Sequence, residues 1–73
     1  MFAWRRTAVR KRVVVNLAER AFRGVLWAKR GPLLVLRDVD LLEAGREPQR
    51  VDGEIVVERS QVEFIQVLAG GGG

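Results

Sequence analysis

From Val13 to Leu68 apolar and polar positions alternate with a period near two, and the alternation breaks at glycines, prolines and short polar clusters. That is the signature of strands with one buried face rather than of helices. Val13, Val15 and Leu17 against Val14 and Asn16 predict a first strand, and Ala18-Glu19-Arg20 a tight connection. A second strand runs from Ala21 to Lys29, with Phe22, Leu26 and Ala28 on one side and Val25 and Trp27 on the other. Gly24 interrupts it, and a mid-strand glycine marks a sharp bend or bulge at a barrel corner. Arg30-Gly31-Pro32 is a turn signal. The third strand spans Leu33 to Leu42, and Glu43 to Gln49, with Gly45 and Pro48, forms the longest loop. Val51, Gly53, Ile55 and Val57 alternate with Asp52, Glu54, Val56 and Glu58 in a fourth strand. Glu58 to Gln61 reverses the chain, and Val62 to Leu68 gives a fifth.

The fold class that follows is mainly β: a strongly bent, five-stranded antiparallel barrel over residues 13–68. Residues 1–12 form a basic arm in which Phe2, Arg6 and Val9 share a face, predicting a short amphipathic helix. Ala69 to Gly73 reads as a flexible tail by composition. A chain of 73 residues buries only about 60% of its unfolded surface, so one marginal domain is expected. With no cysteine, no disulfide can staple it, and without histidine as well the usual zinc ligand sets are excluded. Oligomerisation remains as the common route to stability. Two strand edges of a partly open barrel are left for that purpose.

Net charge is +4, unevenly placed. Residues 1–30 carry nine Arg and Lys against the single acid Glu19, and residues 31–73 carry four against eight acids. Two readings are open: a basic face for phosphate backbones, or a polarity through which one copy meets an acidic partner. The candidate contacts for either are Arg5, Arg6, Arg10, Lys11, Arg12, Lys29 and Arg30. Trp4 and Trp27, with Val56, Val62, Phe64 and Val67 on the last strands, are the candidates for an oligomer or partner interface, because interfaces are enriched in tryptophan. Trp27 with Lys29 and Arg30 also has the composition of a single-strand stacking platform. Arg37 reads as a surface cation.

Val15, Leu17, Phe22, Gly24, Leu26 and the run Leu33-Leu34-Val35-Leu36 followed by Asp38, then Gly53 to Val57, Val62, Phe64 and Ile65, resemble the two motifs of the Sm-like family. The resemblance covers about 55 residues and implies a short N-terminal helix on a five-stranded, SH3-type barrel, whose fourth strand pairs with the fifth of a neighbour to build a ring. Family members that bind uridine-rich RNA carry an aspartate and a Met-Asn pair before the third strand and an Arg-Gly pair after the fourth. This chain has Arg30-Gly31-Pro32-Leu33-Leu34 and Glu58-Arg59 there. Leucine cannot read a base edge and glutamate repels phosphate, so the usual RNA site is not expected.

The segment Arg30 to Leu36 and the ending from Val51 to Leu68 also resemble small proteins from the virion-structure genes of actinobacterial bacteriophages. Catalysis is not expected: histidine, cysteine and tyrosine are absent, and the only hydroxyls, Thr7 and Ser60, have no adjacent general base. Asp38, Asp40 and Glu43 read as a solvated strand face, no metal site or cofactor is expected, and the longest apolar run is far short of the ~18–20 residues of a membrane span. The expected function is therefore a non-enzymatic homo-oligomeric structural component of a phage particle, made in the host cytoplasm, a minor capsid or decoration protein with weak non-specific affinity for nucleic acid. The alternative is a cytoplasmic, nucleic-acid-binding Sm-like ring that uses its basic N-terminal arm.

Overall fold

In the computed structural model, which describes residues 10–68, the alternating segments pair into one antiparallel sheet. Its strands are β1 (Arg12–Asn16), β2 (Ala21–Arg30), β3 (Leu33–Leu42), β4 (Gln49–Val51), β5 (Ile55–Glu58) and β6 (Phe64–Val67), with a 3-10 turn at Arg59–Gln61 before the last. The order is β4-β3-β2-β1-β6, and β5 also pairs with β3. The two long central strands bend, so the sheet curls around one core with β5 and β6 at its opposite edges. Val13, Val15, Leu26, Leu34, Leu36 and Val39 are fully buried there, with Val57 nearly so. Leu17, Phe22, Val51, Ile55, Val62 and Ile65 pack around them.

Two local devices make the bend. Arg23 pairs with Asp40 and Val25 with Arg37, so Gly24 alone opposes both Asp38 and Val39. Asp38 takes up the extra length with φ 53. A Cβ at Gly24 would lie 2.7 Å from the Arg37 carbonyl oxygen and 3.2 Å from that of Asp38, so only glycine lets the strands cross this closely. The second device is on β2: Leu26 pairs with Leu36 and Ala28 with Val35, leaving Trp27 as an extra, unpaired residue.

The expected architecture is corrected in two respects. The sheet has six strands rather than five. Gly53 at φ 80 takes the chain out of the ladder, so the stretch expected as one strand from Val51 to Glu58 splits. Its first part lies on one end of β3, where Val39 pairs with Val51, and its second on the other, where Leu36 pairs with Ile55. The expected N-terminal helix falls mostly on residues 1–9, outside the described residues. Arg10, at φ 67, lies in a turn and Arg12 already begins β1, so residues 10–12 are not helical. Among the described residues no helix is long and apolar enough to cross a membrane.

Candidate assembly edges and nucleic-acid interface

β5 and β6 are neighbours in sequence but not in the sheet: β5 hydrogen-bonds to β3 and β6 to β1. Each is paired on one side among the described residues, and each presents exposed apolar side chains. Val56 is 55% exposed, Phe64 54% and Val67 41%. Val67 pairs with the fully buried Val13 and so points to the core side, yet it stays open where the barrel does not close. Val62, also expected at the interface, is half-buried and packs against the core. Between the two edge strands the chain is pinned: the Arg59 N–H donates to the Pro32 carbonyl at 2.7 Å and Ser60 Oγ to Glu58 Oε1 at 3.1 Å. This holds the 3-10 turn against the β2–β3 hairpin. That hairpin closes over two residues, Gly31 at φ 57 and Pro32, since Arg30 pairs directly with Leu33.

The bulge at Trp27 changes which cations surround it. Downstream of it Lys29 pairs with the buried Leu34, and directly opposed residues share a face, so Lys29 comes to the core side and not beside Trp27. The partners of Trp27 are two other arginines. The guanidinium carbon of Arg10 lies 4.0 Å from the centroid of the indole ring, and that of Arg37 lies 4.1 Å from it. Arg10 arrives from the β1 side, where its N–H donates to the Leu26 carbonyl at 2.6 Å, and Arg37 from β3, on the other side of β2. The ring therefore stands between two like charges, each attracted by its quadrupole. The carbonyl that the bulge leaves free also accepts from Arg10 Nε at 3.2 Å. Arg37 Nε donates to Glu54 Oε2 at 2.6 Å. Arg12 pairs with Val25, as does Arg37, so a third arginine is on the same outer face.

Elsewhere four arginines, Arg20, Arg23, Arg46 and Arg50, are matched by acid. Asp40 accepts from Arg23 at 3.0 Å and lies 3.8 Å from Arg50; Glu43 is 3.4 Å from Arg46 and 4.0 Å from Arg20. Asp40 and Glu43 thus each bridge two guanidiniums, and among the described residues no acidic cluster could hold a metal ion. Trp4, Arg5 and Arg6 lie outside the described residues; Lys11 and Arg30 are exposed on the surface. Arg37 was missed in the sequence because its approach to Trp27 depends on both bulges, which alternation does not reveal.

No protein-family model matches the chain, and no curated protein matches it. Solved structures do. The Sm protein of Pyrococcus abyssii, in complex with a uridine heptamer, is 28% identical, covers 85% of this chain and 89% of its own, and superposes with a TM-score of 0.73. The P. aerophilum SmAP1 heptamer is 26% identical, covers 96% and 100%, and gives a TM-score of 0.78. The fold is Sm-like.

These similarities overturn the reading of the chain as a phage virion component, since the matching structures are Sm proteins, one of them bound to RNA. The segments that suggested a virion protein are those the fold itself dictates. Leu34 and Leu36 are core residues, Val57 is buried, and Gly31-Pro32 closes a hairpin. Their apolar pattern reports the barrel, not an assembly it serves.

Proposed function

We propose that this protein is an RNA-binding Sm-like protein that works as a ring of several copies. The observation that carries the reading is the similarity, over most of both chains, to an Sm protein in complex with a uridine heptamer. The edges agree with it. Among the described residues β5 and β6 each have one unpaired backbone ladder and exposed apolar side chains, and a head-to-tail contact of β5 with the next copy's β6 builds a ring when its rotation closes.

The RNA is held chiefly by its backbone. Leu33, Leu34 and the two-residue Gly31-Pro32 turn offer no side-chain amide to a base edge, and Glu58 at the end of β5 adds negative charge beside them. The basic arm and Arg10, Lys11 and Arg12 supply the cations, and no catalytic step is part of the activity.

Fluorescence anisotropy with a labelled uridine oligomer and a mixed-sequence oligomer of equal length tests this. Both are expected to bind at physiological salt with similar affinity, and to weaken as salt is raised. No binding of either oligomer, even at low salt, would overturn the reading.

A further inference from the structure

We infer that the outer face of the sheet around Trp27 is a backbone-phosphate site for single-stranded RNA, in which Arg10 and Arg37 make the contacts and Trp27 positions them. The inference rests on the RNA-binding reading and adds to it where on the barrel the strand runs.

Three features make this face different from the rest of the surface. First, the arginines are oriented in advance. Arg10 is tied by its own N–H, by its Nε and by the indole, and Arg37 by the indole and Glu54. A long side chain fixed in this way loses less entropy when it meets a ligand. Second, among the described residues each guanidinium commits its Nε to a protein acceptor, and its terminal N–H groups form the planar fork that suits phosphate. Third, the charge is only partly compensated. Among the described residues Arg37 is paired with Glu54 and neither Arg10 nor Arg12 has a carboxylate partner, whereas Arg20, Arg23, Arg46 and Arg50 share Asp40 and Glu43.

The faces of the indole are both occupied, so Trp27 is not itself a platform for a base. Its part is to hold two cations on either side of one ring, where mutual repulsion would otherwise drive them apart. A polyanion that passes over the ring meets both. An acidic protein segment offers the same charge, but carboxylates spaced on a folded surface match two fixed forks less well than the regular phosphates of an extended strand. The RNA reading is therefore the one argued.

The test compares the salt dependence of uridine-oligomer binding in the parent, in R10Q with R37Q, in W27L, in E54Q and in the control R20Q with R46Q. Loss of two phosphate contacts should lower the slope of log K against log salt by about 1.4, at ~0.7 per phosphate for a single strand. W27L should lower it by less, and E54Q should tighten binding because it removes the carboxylate paired with Arg37. R20Q with R46Q should leave the slope within about half of one contact's worth. Light scattering keeps assembly separate from binding, and only variants of parental size are compared.

If the parent binds and the R10Q and R37Q pair leaves the slope unchanged, the site is wrong while the RNA-binding reading stands. If the parent does not bind, that reading fails and this one with it. An unchanged RNA slope together with lost binding of poly-glutamate would assign the face to an acidic protein and overturn the inference.

Discussion

At the corner where β2 crosses β3, Gly24 lets two backbones approach to a distance that a single methyl group would violate, and Val13 and Val39 on either side of it are fully buried. At the edges, β5 and β6 carry the same kind of apolar alternation, yet Val56, Phe64 and Val67 are exposed and, among the described residues, each ladder is used on one side. One chemistry has two outcomes. At the corner the apolar side chains are satisfied inside the chain, and stability depends on shape; at the edges they stay exposed, and in the proposed ring it is another copy that would cover them. A small barrel that cannot bury enough surface alone gains by leaving its edges for a neighbour.

The comparison can be broken from either side. Truncation of Leu36 to Ala should have the largest effect, about 2–5 kcal/mol, because the residue is fully buried and central. Gly24→Val follows at about 1–3 kcal/mol, through overlap with the Arg37 carbonyl. Both are measured by thermal or denaturant unfolding, and a parental midpoint for Gly24→Val would mean that the strands can separate at the corner without loss. Val56→Asp with Phe64→Asp should act in the opposite manner, dispersing the assembly in light scattering while the far-ultraviolet circular dichroism remains that of a β protein. If that variant keeps its size, the edges are not the contact. Asp40→Asn should change least, by about 0.5–1 kcal/mol, since its two ion pairs lie at a partly exposed site.

Much of the barrel was legible because its signals are strong and local. A glycine between Phe22 and Leu26 has few other uses, and Arg30-Gly31-Pro32 closes the hairpin where its composition placed it. The split at Gly53 was not legible, because alternation continues through Val51, Gly53 and Ile55 as if the strand were intact. Nor were the bulges at Asp38 and Trp27. An inserted residue shifts the phase of everything after it: plain alternation puts Lys29 on the face of Trp27, whereas the register sets it opposite the buried Leu34, and alternation does not reveal that the exposed Arg37 reaches the indole. The functional misreading had the same origin. Segments shaped by the demands of a small barrel, Arg30 to Leu36 and Val51 to Leu68, resemble those of other small proteins, and the likeness to virion proteins gives way to the three-dimensional similarity to Sm proteins.

The central claim is that RNA is bound by an assembly of this chain. Sedimentation velocity with a fluorophore on a uridine oligomer, followed at the wavelength of the label, tests it most directly. The label should move with a particle several times the 8.2 kDa mass of one chain, and protein and label should share that boundary. A label that sediments as free RNA, or with a single chain, would contradict the account.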